Sequence, residues 1–87
     1  MKIIITENKL YNIFEKYMDS YNLSFDENKK EFIDKKGNRF GWMAQVIFRT
    51  KQSTKDSLSA MFGDNVYRML KTYLRNKFPE VDIVYMD

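Results

Sequence analysis

The chain has 87 residues, of which 44% are hydrophobic, 31% charged and 16% aromatic, and it contains neither Cys nor His. That balance fits one small soluble globular domain over residues 1–87 and does not fit disorder, a disulfide scaffold or a membrane span, so no membrane partner is expected. Without Cys or His there is no thiolate nucleophile, no Cys/His zinc site, no imidazole haem ligand and no Ser-His-Asp or Cys-His arrangement. The expectation is a protein that is not an enzyme and takes no cofactor or metal.

In chain order, Ile3, Ile4 and Ile5 make a short apolar run that predicts a buried strand, with Thr6 as the N-cap of the next helix. The run is shorter than the apolar core of a secretory signal, about 7–15 residues, so the chain is expected to stay in the cytoplasm. Leu10, Ile13, Phe14, Tyr17, Met18 and Tyr21 fall at i, i+3, i+4, i+7, i+8 and i+11, the spacing of one apolar helix stripe. Past Asn22 the period becomes two, with Leu23 and Phe25 alternating against polar neighbours before a turn over residues 27–30. Phe32 and Ile33 fall in the next strand, and Lys36-Gly37-Asn38 supplies a second turn.

Residues 39–50 read as one long strand. Phe40, Trp42, Ala44, Val46 and Phe48 alternate onto one face, which suits a core, while Arg39, Gly41, Met43, Gln45, Ile47 and Arg49 take the other. Gly41 marks a candidate bulge. Ser53-Thr54-Lys55-Asp56 matches a capping box and predicts a helix start near Thr54, with Leu58, Met61 and Phe62 on its apolar side. Gly63-Asp64 then divides this helix from a longer one over residues 65–77, whose stripe is Val66, Met69, Leu70, Tyr73 and Leu74. Pro79 stops it, and Val81, Ile83 and Tyr85 alternate in a closing strand.

The resulting order is β-α-β-β-β-α-β, an α+β fold in which two amphipathic helices cover one face of a small antiparallel sheet. This is close to a ferredoxin-like plan with one extra strand. The embedded α-β-β-β-α order is the alternative, that of double-stranded-RNA-binding domains.

Charge is unevenly spread. Residues 1–34 sum to −2, residues 35–78 to +8 and residues 79–87 to −3, and all four Arg lie in the middle segment. Arg68, Lys71 and Arg75, at i, i+3 and i+7, share one helix side opposite the apolar stripe. With Arg49 and Lys51 they are the candidate electrostatic face, suited to an acidic protein or, alternatively, to nucleic acid, with Trp42 or Phe40 as stacking groups if they are not core. Tyr11, Met43, Ile47 and Tyr67 lie off the main stripes and are the candidate apolar contact surface. The acids Asp26, Glu27, Glu31 and Asp34 stand among Lys residues around the turns and read as solvated, self-compensating charge.

The opening Met1-Lys2-Ile3-Ile4-Ile5-Thr6-Glu7, followed by a helix rich in Leu, Tyr and Ile, resembles the start of small orphan proteins of tailed bacteriophages, including crAss-like phages of Bacteroidota. The resemblance implies a virion component, an assembly factor or a small protein that binds host machinery, placed in the host cytoplasm or in the virion. Together with the missing catalytic residue types, it leads to the expectation of a protein-protein interaction protein whose partner is itself or a larger assembly. Nucleic-acid binding through residues 35–78 is the alternative.

Overall fold

Helix α1, Glu7–Asp19, owes its place to one apolar side, and it is the first element of the computed structural model, which describes residues 7–86. Phe14 and Met18 are fully buried, while Leu10, Tyr11, Tyr17 and Tyr21 pack partly against the core. Ile13, expected on this stripe, is 51% exposed. The buried side is rotated toward Tyr11, because Phe14 meets Phe62 at 5.2 Å and Tyr73 at 6.3 Å between ring centroids, which sets the helix against its two helical neighbours. The expected strand at Ile3–Ile5 and the Thr6 cap lie outside the described residues.

Four antiparallel strands follow: β1 (Ser24–Asp26), β2 (Glu31–Ile33), β3 (Arg39–Ala44) and β4 (Ile47–Arg49). The turns between them are built by carboxylates. The Asp26 side chain accepts the N–H groups of Asn28 and Lys29 at 3.0 and 3.2 Å, and Asp34 accepts those of Lys36 and Asn38, both at 2.9 Å. Gly37 sits at φ 85°, a conformation that a Cβ would strain.

The single long strand expected over residues 39–50 is corrected to a hairpin. Ala44 and Ile47 are paired across a two-residue turn, Gln45-Val46, with Gln45 at φ 58°. A second irregularity lies in β3 itself, where Phe32 pairs with Gly41 but Ile33 pairs with Arg39, leaving Phe40 as the extra residue of a bulge. The buried hydroxyl of Thr50 donates to the Phe40 carbonyl at 2.6 Å, which satisfies a group that the bulge takes out of the ladder.

Helices α2 (Gln52–Phe62) and α3 (Val66–Lys77) divide at Gly63, which lies at φ 87°. The expected capping box is not used. α2 starts earlier, with Lys51 at its N-cap, no side-chain cap bond, and Gln52 donating to the Asp56 carboxylate at 2.9 Å. Val66, Met69, Leu70, Tyr73 and Leu74 of α3 are all buried. After Pro79 the chain returns as β5, Tyr85–Met86, which is shorter than the expected closing strand and pairs parallel to β4. A parallel return needs a long crossover, and α2 and α3 supply it.

The observed order is α1-β1-β2-β3-β4-α2-α3-β5, with strands in the order β1-β2-β3-β4-β5. It is an α+β fold. Cross-strand partners share a face, so the pairs Phe25–Phe32–Gly41 and Met43–Phe48–Met86 define one side of the sheet. That side is the helix-covered core. Phe32 stacks edge-on against Phe78, just past α3, at 5.1 Å and against Phe48 at 5.5 Å, and the bulged Phe40 meets Tyr21, just past α1, at 5.4 Å.

Candidate interaction surface

The reverse face of the sheet carries three cross-strand rows. Ser24–Ile33–Arg39 is followed by Asp26–Glu31–Trp42–Arg49 and then Ala44–Ile47–Tyr85. None of these residues belongs to the core cluster or packs against it. Trp42, expected to be core or a stacking group, is half-buried on this open side, because the bulge at Phe40 and the turn at Gln45-Val46 each shift the alternation of the run. Gly41 permits the arrangement. A Cβ there would collide with the Phe48 ring, with one ring atom at 2.6 Å, and would stand 2.8 Å from the Arg49 carbonyl.

Around Trp42 the face is ordered by charge. The Arg39 guanidinium lies 4.5 Å from the indole centroid and 3.3 Å from the Glu31 carboxylate, so one cation serves both a cation–π contact and an ion pair. Tyr85 is 61% exposed at the β5 end of the face. Among the described residues of these rows, the charges of Asp26 and Glu31 equal those of Arg39 and Arg49 in number.

The candidate residues are divided between sides. Arg49 lies on the open sheet face. Arg68, Lys71 and Arg75 lie on α3, whose buried stripe is pressed on the opposite side of the sheet, so they do not share a face with Arg49. Lys51 is exposed at the start of α2. Of the proposed apolar contact residues, Ile47 lies on the open face. Tyr11, Met43 and Tyr67 pack partly against the core, Met43 because it shares a register position with buried Phe48. Sequence reasoning missed Arg39, Trp42 and Tyr85 as one surface, and the signal available for it was Gly41 inside a strand.

The helix layer is tied by a polar cluster at the end of α1. The Tyr73 hydroxyl donates to Asp19 at 2.7 Å, and Lys77 reaches the same carboxylate oxygen at 3.3 Å. The Tyr73 hydrogen bond, then Lys77, holds the Asp19 carboxyl below its ordinary value, while burial and the Asp19 contact push the Tyr73 phenol up. Tyr17 and Tyr21 share a hydroxyl contact at 2.9 Å, and burial followed by that contact pushes Tyr21 up to about 12. The Tyr11 hydroxyl is buried near Asn76 and Glu15 without a well-formed hydrogen bond, and burial raises its pKa. The Tyr73–Asp19–Lys77 group joins α1 to α3, and Tyr17 and Tyr21 line a surface groove. That groove, of about 430 Å³, runs between Tyr17, Tyr21 and the Asp34–Asn38 turn.

Among the described residues, no three Asp or Glu side chains gather closely enough to hold a metal ion, and no helix is long and apolar enough to cross a membrane. No protein-family model, curated protein or solved structure matches the chain.

Proposed function

We propose that this chain is a non-enzymatic interaction domain whose working surface is the open face of its sheet, and whose partner there is a second copy of the chain. The row Glu31–Trp42–Arg49 carries the reading. An anion, an aromatic ring and a cation stand side by side on β2, β3 and β4, about 4.8 Å apart. A two-fold axis along β3 through Trp42 sets Glu31, which Arg39 engages within its own copy, against Arg49 of the other copy and brings the two indoles together, with the two Arg39 side chains also meeting across the axis. A patch complementary to itself in this way is what a closed dimer requires.

The surroundings support a protein in that position. The face has no excess cation to hold phosphates, whereas Trp, Tyr and Arg beside Ile33 and Ile47 are the side chains that concentrate energy at protein interfaces. Strand spacing and rise give the patch roughly 20 by 15 Å, on the order of 300 Å² per copy in projection, below the size of a standard specific interface and in the range of a weak, transient one. The self-contact is therefore weak singly and suited to repetition in an assembly. The resemblance of residues 1–7 to small phage proteins supports a virion-associated or assembly role for such a contact.

The single tryptophan makes the test direct. Across a dilution series from about 200 to 1 μM, Trp42 emission should shift red as light scattering falls from twice the chain mass to the chain mass. Arg49→Glu and Glu31→Arg should each weaken the dimer, and the double swap should restore it. A chain of monomer mass throughout, or a double swap no better than either single change, refutes the proposal.

A further inference from the structure

We infer that the outer side of α3 is a track for the phosphodiester backbone of a nucleic acid. The inference does not depend on the sheet face. Helix α3 carries Arg68, Lys71, Arg75 and Lys77 and no Asp or Glu. Its rotation is fixed by five buried residues, and at 100° per residue Arg68, Lys71 and Arg75 fall within a sector of about 60° on the opposite side.

These three stand together on one helix side without an acid among them, whereas Arg39 and Lys77 are each engaged by a carboxylate. Arg39 is paired with Glu31, and Lys77 with Asp19, a half-exposed pair that joins the ends of α3 and α1. Among the described residues, no carboxylate lies within ion-pair distance of Arg68, Lys71 or Arg75. Like charges at i, i+3 and i+7 repel by a few tenths of a kcal/mol per pair, and an interleaved acid is the ordinary remedy. Here none is present.

Spacing then selects the ligand. A rise of 1.5 Å per residue puts the three side chains at intervals of about 4.5 and 6 Å over roughly 10.5 Å of axis. A nucleic-acid strand carries a charge about every 3.4 Å of helix axis, so the three cations run alongside about four successive phosphates. The track has one definite end. Arg75 shares a groove with Glu80 and Asp82, which repel a phosphate chain and turn it away after Arg75.

The test is fluorescence anisotropy of the full chain with labelled random-sequence oligonucleotides, single-stranded DNA, single-stranded RNA and duplex in separate arms, at 20–200 mM salt. Binding should be non-specific in strength, with a log-log salt slope of about −2 to −3 for three contacts at roughly 0.7 to 0.9 each. Replacing Arg68 and Arg75 by Gln should remove between about one and two units of slope, while Arg68→Lys with Arg75→Lys keeps it. Neutralising the gate with Glu80→Gln and Asp82→Asn should tighten binding several-fold, an effect that merely solubilising cations would not produce. Circular dichroism of each variant separates lost charge from lost fold. No anisotropy change at 20 mM salt, or a slope indifferent to Arg68 and Arg75, overturns the inference. Displacement by poly-glutamate as effective as by unlabelled nucleic acid also overturns it, and assigns the ridge to an acidic protein.

Discussion

Gly41→Ala is the most informative single change, because general propensity and the local geometry give opposite signs. In an ordinary strand interior the added methyl group stabilises by roughly 0.5–1 kcal/mol, since Gly loses more backbone freedom on folding. Here the methyl would meet the Phe48 ring, with one ring atom at 2.6 Å, and the Arg49 carbonyl at 2.8 Å. The ring cannot swing away cheaply. It is 1% exposed and held between Phe32 at 5.5 Å and Phe40 at 6.2 Å, while the carbonyl belongs to the neighbouring strand. Overpacking of this kind costs about 1–3 kcal/mol, which outweighs the propensity gain and leaves a net loss of about 1–2 kcal/mol.

For a domain of this size such a loss lowers Tm by about 4–16 °C. Thermal and urea unfolding followed by far-ultraviolet circular dichroism measures it. Trp42, next in the chain, should report a changed environment in the native state. Phe48→Leu alone should destabilise through lost ring contacts, yet in the Gly41→Ala background it should restore stability, with a coupling of at least about 0.5 kcal/mol between the two sites. An unchanged or raised Tm for Gly41→Ala would refute the claim that close approach, and not backbone freedom, selects Gly here.

Thr50→Val should cost about 1–3 kcal/mol by leaving the buried Phe40 carbonyl without its donor, and Thr50→Ser should cost less, both read from urea midpoints. On the alkaline side, the Tyr21 phenol is pushed up to about 12, so the fold prefers its protonated form. That contribution is complete below pH 10 and disappears as pH rises toward 12, so Tm should fall across this window and fall less steeply in Tyr21→Phe. An ultraviolet titration in which every Tyr ionises near pH 10 would contradict it.

Where one period governs an element, the sequence is easily read. The α3 stripe appears as Val66, Met69, Leu70, Tyr73 and Leu74, and all five are buried. The break at Gly63 and the turns at residues 27–30 and 36–38 follow from the residue types that tolerate them. The run at residues 39–50 fails for a physical reason. Its even positions are apolar from Phe40 to Phe48, so alternation looks uninterrupted, yet a bulge and a two-residue turn each alter the phase. The turn contains no Gly, Asn or Pro to announce it, only Gln45 at φ 58°.

That phase decides what the surface can do. Had the strand run on unbroken, Trp42 would lie beneath the helices and Met43 and Ile47 outside, leaving an apolar reverse face with cations at its ends. The bulge turns Phe40 inward, and Trp42 emerges between Glu31 and Arg49 in a row that has both signs of charge. The same packing sends Arg68, Lys71 and Arg75 to the far side of the helix layer. The cations of residues 35–78 therefore do not form one footprint: Arg39 and Arg49 share the sheet face with Asp26 and Glu31, while Arg68, Lys71 and Arg75 share one side of α3. The salt responses of the two surfaces should differ accordingly. Self-association through the Trp42 face, if its ion pairs are exposed, should weaken modestly with added salt, whereas phosphate binding on α3 should fall along a log-log salt slope set by counterion release.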